Sequence, residues 1–264
     1  MTRRLLNDFV KRAFYRLGYQ LVPAPKWART RKVLEHGGYR MVNWRTPDGQ
    51  YDLAGYRREQ ELGNRAKIGQ VWTSEDSLLF ISRWLQNRGL APQLIICHGT
   101  RNGFEQGVFS KFFHCEVIGT EISPTATQFP MTVQADFHEP RPEWAHRADL
   151  VYSNSLDHAY DPAKALRAWA DSVKDGGVIV LEKASDSDPR GVSDLDPFGI
   201  TLAELVVFLM DTLGDIACVR GLLDVPHPRD GATYHKMLVI EISRGSRWHR
   251  DGGASSRGSP LCSN

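Results

Sequence analysis

Between residues 93 and 243 the chain alternates between short apolar runs and longer amphipathic segments. Strands that alternate with helices, with little polar alternation inside the earlier strands, are typical of a mainly parallel sheet covered by helices on both faces. The apolar runs predict seven strands, at residues 93–97, 115–122, 131–136, 148–155, 177–183, 216–223 and 234–243. The last two are joined by DVPHPRDGAT, which is too short for a crossover helix, so we predict that they pair antiparallel.

Helices are predicted before and between these strands. The segment TSEDSLLFISRWLQNRG has Thr73 or Ser74 as its cap and is predicted to end near Gly89. The helix after the fourth strand starts with Asp161 as its cap and Pro162 in its first turn, and we predict that it runs to Gly176. Two further helices are predicted over GFEQGVFSKFF and TLAELVVFLMDTLG.

The first 18 residues predict a basic amphipathic helix, with apolar residues at helical spacing on one side. Residues 1–40 hold ten Lys or Arg against only Asp8 and Glu35. Such a helix packs on the body of its own protein, or it contacts an anionic membrane through residues 2–17, or it holds nucleic acid. The sequence leaves these interpretations open.

These patterns divide the chain into three parts. Residues 1–72 contain the basic helix and then a loop-rich region, because residues 35–72 show no clear periodicity. Residues 73–243 form the domain that holds the predicted sheet. Residues 244–264 are rich in Gly, Ser and Arg and are predicted to be disordered.

Cysteine usage and hydropathy predict a cytoplasmic protein. The four cysteines form no CxxC pair and no dense framework, which suits a reducing compartment. No run approaches the apolar length of a membrane span, and no secretion signal is recognisable. If the basic helix binds lipid, we expect a peripheral position at the inner face of the membrane.

Glycines and polar residues follow four consecutive predicted strands. Gly99 and Gly103 follow the first strand, Glu121 the second, Asp136 the third, and the run Ser153–His158 the fourth. In open α/β sheets, ligands bind outside the carboxyl ends of the strands. Glu121 comes 22 residues after Gly99, a spacing at which a carboxylate can accept hydrogen bonds from ribose hydroxyls.

The stretch from residue 92 to residue 183 resembles the core of the class I S-adenosylmethionine-dependent methyltransferases, in particular the type 11 methyltransferases. The run DLVYSNSLDHAYDPAKAL is especially close to that family's fourth-strand signature. The resemblance implies a Rossmann-like α/β fold, in which a seven-stranded, mainly parallel sheet ends with an antiparallel strand. It also implies S-adenosylmethionine as the cofactor.

The resemblance further implies which residues bind the cofactor. In the family, the loop after the first strand cradles the methionine part, the acid after the second strand binds the ribose hydroxyls, and an acid after the third contacts the adenine amine. The segment after the fourth strand faces the methyl group and the acceptor. Carried over, these roles fall on His98, Gly99, Gly103, Glu121, Asp136 and Asn154.

The first loop departs from the family pattern. Ile95 stands where an acid is usual, Cys97 where the first glycine is usual, and Arg101 where another glycine is usual. The departure implies weaker cofactor binding, a carboxylate supplied from elsewhere, with Glu105 as one candidate, or a degenerate copy. We expect a divergent loop that still functions, because Gly99 and Gly103 permit a tight turn and Asn102 tolerates positive φ.

His158 is the candidate general base, with Asp157 beside it in sequence. The alternative is that the two residues shape the loop and cap the next helix. No metal site is predicted from Cys97, His98, His114 and Cys115, because their spacing matches no standard ligand pattern.

We expect methylation of an oxygen on a small molecule or glycan precursor. One alternative is a non-catalytic binding protein, which the missing first-strand acid favours. Another is a nucleic-acid methyltransferase that uses the basic arm to hold phosphates. Against this last alternative, SNSL is not the Asn/Asp-Pro-Pro-aromatic motif of amine-methylating enzymes, and no Pro-Cys nucleophile follows the fourth strand. The sequence does not indicate an oligomeric state.

Overall fold

The computed structural model describes residues 31–244. The predicted basic helix of residues 1–18 and the predicted tail from residue 245 onward lie outside the described residues. No helix among the described residues is long and apolar enough to cross a membrane.

The described residues contain ten strands and five α-helices. The strands are β1 (Val33–His36), β2 (Tyr39–Val42), β3 (Leu94–His98), β4 (Glu116–Glu121), β5 (Thr132–Gln134), β6 (Ala148–Ser153), β7 (Val173–Ala184), β8 (Phe198–Ile200), β9 (Ala217–Asp224) and β10 (His235–Ile242). The helices are α1 (Leu53–Ala66), α2 (Glu75–Gln86), α3 (Phe104–Phe113), α4 (Pro162–Ser172) and α5 (Leu202–Leu213).

Seven strands form the central sheet, in the order β5-β4-β3-β6-β7-β10-β9. The five strands from β3 to β7 are parallel, and β10 pairs antiparallel with both β7 and β9. This confirms the predicted Rossmann-like α/β fold with its antiparallel last strand. The strand order reverses between β3 and β6. There His98 pairs with Thr120 on one side and Ser153 on the other, so these three strands end at the same edge.

Helices cover both faces of the sheet, as predicted. On one face, α2 and α3 bury Leu78, Ile81 and Phe109 against the sheet. On the other face, α4 and α5 bury Trp169 and Leu205. Burying an aliphatic or aromatic side chain of this size contributes about 1.5–3 kcal/mol each, so both helix layers hold the sheet edge rigidly in place.

The prediction that residues 35–72 are loop-rich was wrong, because they contain the end of β1, all of β2 and the 14-residue helix α1. The buried residues of α1 are Tyr56, Gln60 and Asn64, spaced four apart. Two of the three are polar, so a search for apolar periodicity does not detect this helix. Asp52 caps it by accepting a hydrogen bond from the backbone N–H of Gly55 at 2.9 Å.

Residues 185–197, between β7 and β8, contain four aspartates and are called the acidic loop. After this loop, Phe198–Ile200 form β8, which pairs antiparallel with β2 in a small three-stranded sheet. One helix boundary differs from the prediction as well. The backbone becomes extended at Val173, which pairs with Ala148, so α4 ends at Ser172 and not at Gly176.

Candidate functional site

A pocket opens at the carboxyl ends of the parallel strands. Its lining residues from these strand ends include Gly99, Glu121, Asp136, Ser155 and His158. Four of the residues predicted from the sequence therefore surround one space, and they come from the loops after β3, β4, β5 and β6. A face of α1 closes the other side of this pocket.

The turn after β3 is tight and depends on left-handed backbone. Gly99 has φ of 75°, and a Cβ built on it would lie 2.6 Å from Cβ of Ser155. Its backbone N–H donates to the carbonyl of Thr120 at 2.9 Å, which ties the turn to β4. Arg101 holds φ of 42°, a region that costs a non-glycine residue about 1–2 kcal/mol.

Glu121 is buried at the end of β4 and lines the pocket. Its Oε1 accepts a hydrogen bond from the backbone N–H of Ser123 at 2.9 Å. Burial raises the pKa of Glu121, although the hydrogen bond from Ser123 and the nearby His158 act in the opposite direction. The carboxyl is thus held in one orientation at the wall of the pocket.

Asp136 lies on the same pocket and is paired with His138. Its Oδ1 accepts the backbone N–H of His138 at 3.0 Å and lies 2.6 Å from Nδ1 of that ring. Burial acts to raise the pKa of Asp136, but the contacts with His138 outweigh it, and the pKa is lowered. A carboxylate that stays ionised in this position can accept hydrogen bonds from a ligand N–H group.

The imidazole of His158 is held in one tautomer. Nε2 of Gln60 donates to the carbonyl of Leu195 at 2.7 Å, which turns Oε1 of Gln60 toward the histidine. Nδ1 of His158 lies 3.0 Å from that Oε1 and 2.9 Å from the Leu195 carbonyl. Because both neighbours are acceptors, Nδ1 carries the proton, and the lone pair lies on Nε2.

His158 also borders a second cavity, of about 190 Å³. Asn154 and Asp157 line this cavity and not the first pocket. Burial raises the pKa of the Asp157 carboxyl. The other lining residues are charged, aromatic or small: Lys67, Trp72, Asp186, Gly191, Asp196 and Arg229. His158 therefore stands between a pocket at the sheet edge and a polar cavity next to it.

Two of the residues predicted to bind the cofactor, His98 and Gly103, line neither the pocket nor the second cavity. The ring of His98 is buried, stacks on Trp169 with ring centroids 5.2 Å apart, and has Nδ1 2.9 Å from Oγ1 of Thr120. Burial lowers the pKa of His98 to about 3, so the ring is neutral. Gly103 precedes α3 as its N-cap, with φ of 81°. Neither residue lines the two cavities, and their predicted roles stay predictions.

Sequence reasoning missed the part of the pocket that α1 supplies. Tyr56, Gln60 and Asn64 line it from that helix, and Leu195 lines it from the acidic loop. The signal for the helix residues was a polar repeat of four in GYRREQELGN, which is weak because exposed helices show similar repeats. Nothing in the sequence indicates that Leu195 would contact His158.

One group among residues 31–244 has the geometry for a metal ion. The ligand atoms of Asp157, His158 and Asp196 lie within 4.8 Å of one another. Oδ1 of Asp196 is also 3.6 Å from Nδ1 of His158. Since that Nδ1 already faces two acceptors, the arrangement equally suits an ion pair that forms when the imidazole is protonated.

Residues 96–181, from β3 to β7, match the family model of the methyltransferase domain. The match includes the turn after β3 and the segment that carries His158. The match does not cover α1 or the acidic loop, although both segments contact His158. A search of curated proteins finds no match to this sequence.

Solved structures share the fold. One is 1,6-didemethyltoxoflavin-N1-methyltransferase from Burkholderia thailandensis, with bound 1,6-didemethyltoxoflavin and S-adenosylhomocysteine, which is 14% identical with a TM-score of 0.56. The likeness covers 80% of this chain and 99% of that one. Another is magnesium protoporphyrin IX methyltransferase from Synechocystis PCC 6803, with bound S-adenosylmethionine, at 13% identity, a TM-score of 0.50, and 75% and 100% of the two chains covered. At these identities the likeness shows the fold alone.

Proposed function

We propose that the chain is a class I S-adenosylmethionine-dependent methyltransferase and that it methylates an oxygen of a small molecule or glycan precursor. The choice of oxygen rests on the fixed tautomer of His158, a residue that lines both cavities. Because Nδ1 carries the proton, Nε2 can accept one from an acceptor. A hydroxyl acceptor needs such a base, because neutral hydroxyl groups are weak nucleophiles.

The pocket at the sheet edge fits the cofactor. Glycine at position 99 lets the backbone lie against Ser155, where a Cβ would come within 2.6 Å of the Ser155 Cβ, and both residues line the pocket. We assign the ribose hydroxyls to Glu121 and the adenine amine to Asp136, since both carboxyls line this pocket. The ionised state of Asp136 supports the second assignment, because an amine donates hydrogen bonds to it.

When bound, S-adenosylmethionine supplies an electrophilic methyl group on a sulfonium. In the proposed reaction, Nε2 of His158 would accept the acceptor's hydroxyl proton as the oxygen bonds to the methyl carbon, and the bond from that carbon to sulfur would break to leave S-adenosylhomocysteine. Oδ1 of Asp196, 3.6 Å from Nδ1, stabilises the imidazolium that results. The remaining requirement is in-line positioning, which rigid strand-end loops provide.

The second cavity is the proposed acceptor site. Its wall carries the cations of Lys67 and Arg229 and the carboxyls of Asp157, Asp186 and Asp196, and Arg229 pairs with Asp186. Two cations among three carboxyls suit a polar, hydroxyl-bearing molecule better than a phosphate backbone. We therefore favour a small acceptor over nucleic acid, and the predicted basic arm that would hold phosphates lies outside the described residues.

The methyltransferase match disfavours the alternative of a non-catalytic binding protein. Free thiols at Cys97, Cys115 and Cys218 support the proposal that the protein works in a reducing cytoplasm. Contact with an anionic membrane through residues 2–17 stays a prediction on a segment outside the described residues.

The proposal is tested by offering the purified chain S-adenosylmethionine with a methyl label and a panel of acceptors. The panel contains hydroxylated sugars, sugar nucleotides, phenols, the matching amines and short RNA. We expect label on a hydroxyl oxygen, located by mass spectrometry and NMR. Label found only on nitrogen, carbon or RNA would refute O-methylation while leaving the methyltransferase assignment intact.

A further inference from the structure

A third cavity, of about 320 Å³, lies between the small three-stranded sheet and the start of α4. Small-molecule sites in proteins have volumes from about 300 Å³ upward, so this cavity is large enough to hold a ligand. Most of its lining residues belong to β1, β2, the loop after β2 and α5, which lie outside the matched residues 96–181. Aromatic side chains make up much of its wall: His36, Tyr39, Trp44, Tyr51, Tyr160 and Phe208.

Asp161 adds a carboxyl to this aromatic wall. Its Oδ2 accepts a hydrogen bond from the hydroxyl of Tyr51 at 3.0 Å, and its Oδ1 accepts one from the backbone N–H of Lys164 at 3.0 Å. No side-chain nitrogen of a Lys, Arg or His among residues 31–244 lies within 4.0 Å of this carboxyl. Neutral donors therefore hold the carboxyl in place, and no cation in the described part of the chain pairs with it.

The charge of Asp161 also acts on two tyrosines of the wall. Burial raises the pKa of Tyr51 to about 12, and the negative charge of Asp161 adds to this effect. The same two causes, burial first, raise the pKa of Tyr39. Both side chains therefore remain neutral phenols beside a negative charge, on the wall of one cavity.

A cation already lies on one ring of this wall. The guanidinium carbon of Arg45 lies 3.9 Å from the ring centre of Tyr51. Nη2 of Arg45 donates to the Tyr51 hydroxyl at 2.8 Å, and Nη1 donates to the carbonyl of Gly49 at 2.8 Å. Because Arg45 is exposed, water and salt screen its charge from a ligand beside Asp161.

We propose that this cavity binds a small organic cation, with an alkylated ammonium group held between the aromatic rings and the Asp161 carboxyl. The faces of aromatic rings attract cations, and sites lined by several rings recognise quaternary ammonium groups. An alkylated ammonium fits this wall better than a metal ion, because its methyl groups can be buried against apolar rings. A metal ion of the hard type would need several oxygen ligands, and Asp161 supplies the only carboxyl among the described lining residues.

The proposed cation site is separate from the proposed cofactor pocket. Tyr160 lines the cavity and Tyr56 lines the cofactor pocket. The two rings pack against each other with their centres 4.7 Å apart, so they form a wall between the two spaces. A ligand in the cavity therefore does not compete with the cofactor.

Titration calorimetry with choline tests this site. Choline carries a trimethylammonium group, and 3,3-dimethylbutanol has the same shape with carbon in place of the nitrogen. We expect the full chain to bind choline at least about tenfold more tightly than this neutral analogue. Asp161→Asn should remove most of that preference while it keeps the start of α4, because asparagine also caps helices. Asp211→Asn is the matched control, since Asp211 is exposed on α5 and does not line the cavity.

A pair of variants at Tyr39 tests the aromatic contact. Tyr39→Phe keeps the ring and should bind choline as wild type does, whereas Tyr39→Leu removes the ring and should bind it about 3- to 10-fold more weakly. Urea unfolding of both variants checks that the fold is kept. Equal affinity of a folded Tyr39→Leu and wild type would refute the contact between the ring and the cation.

Several results would overturn the cation site. Wild-type protein that does not bind choline, or that binds it no better than 3,3-dimethylbutanol, has no site that selects a cation. Unchanged choline affinity in Asp161→Asn would place choline elsewhere on the protein. S-adenosylhomocysteine should leave choline binding unchanged, and competition between the two would place choline in the cofactor pocket. Choline binding by a chain that fails to bind S-adenosylhomocysteine would support the cation site and count against the proposed function alone.

Discussion

Nε2 of Gln60 donates a hydrogen bond to the backbone carbonyl of Leu195 at 2.7 Å. Helix α1 and the acidic loop meet through this bond, and both partners face Nδ1 of His158. Neither residue lies within residues 96–181, which match the methyltransferase family. Segments outside the matched region therefore fix the tautomer of the proposed base.

Replacing Gln60 should disturb that base. In Gln60→Leu, the side chain can neither donate to Leu195 nor accept from His158, so we expect turnover to fall about 10- to 100-fold through misplacement of the imidazole. Steady-state kinetics with an identified acceptor measures the effect. Gln86→Leu is the control, because Gln86 is exposed at the end of α2. Turnover equal to wild type would show that the tautomer is fixed by other contacts.

Removing the side chain of His158 should lower the rate of methyl transfer without weakening cofactor binding. We expect kcat of His158→Ala to fall about 10²- to 10⁴-fold, the usual contribution of a positioned general base. The Kd for S-adenosylhomocysteine should change little, since the proposed role lies on the acceptor side. His146→Ala is the control, because that ring is exposed. An unaltered rate would leave His158 with a purely structural role in its loop.

Glu121 should matter for cofactor binding. Glu121→Ala removes a charged acceptor of hydrogen bonds worth about 1.5–3 kcal/mol, so we expect the affinity for S-adenosylhomocysteine to fall at least about tenfold. Calorimetric titration measures it. Glu116→Ala provides the comparison, because Glu116 is exposed at the opposite end of the same strand. If Glu121→Ala binds as tightly as wild type, the ribose site has been placed wrongly.

The turn at Gly99 should tolerate no side chain. Gly99→Ala adds a Cβ 2.6 Å from Cβ of Ser155 and forces alanine to φ of 75°, so one of the two loops must move. The backbone conformation alone costs about 1–2 kcal/mol. We expect a lower free energy of unfolding in urea and weaker binding of S-adenosylhomocysteine. Gly69→Ala is matched to it, since a Cβ there meets nothing within 4 Å. Equal behaviour of the two variants would contradict this account of the turn.

The central sheet was predictable because its strands are continuous apolar runs. All six residues of β6 are buried, so its sequence reads as a strand without alternation. The small sheet was not predictable, because β2 and β8 are short and lie far apart in sequence. Pairing between such strands depends on tertiary contacts that local patterns do not contain.

The same distinction holds for the site. Gly99, Glu121 and Asp136 could be located because they directly follow strands that end at one edge of the sheet. His98 lies in the core and not on the pocket, because the last residue of a strand points into the core as readily as toward a ligand. The contact of Gln60 with the site was not predicted, because the sequence does not show that a polar residue on a polar helix is buried.

Glu105 should make stability depend on pH in a direction opposite to that of a salt-bridged acid. Burial raises the pKa of Glu105 to about 7 from 4.5, so between these pH values the folded chain holds a proton that the unfolded chain has lost. The free energy of unfolding that Glu105 contributes is therefore present below about pH 4.5 and is lost as the pH rises through about 7.

Glu105→Gln removes this titration and keeps the shape of the side chain. We expect wild type to lose about 2–3 kcal/mol more than Glu105→Gln between pH 5 and pH 8, measured by urea unfolding of both proteins at each pH. Glu116→Gln should follow wild type, because Glu116 is exposed. Parallel curves for wild type and Glu105→Gln would mean that Glu105 is ionised throughout.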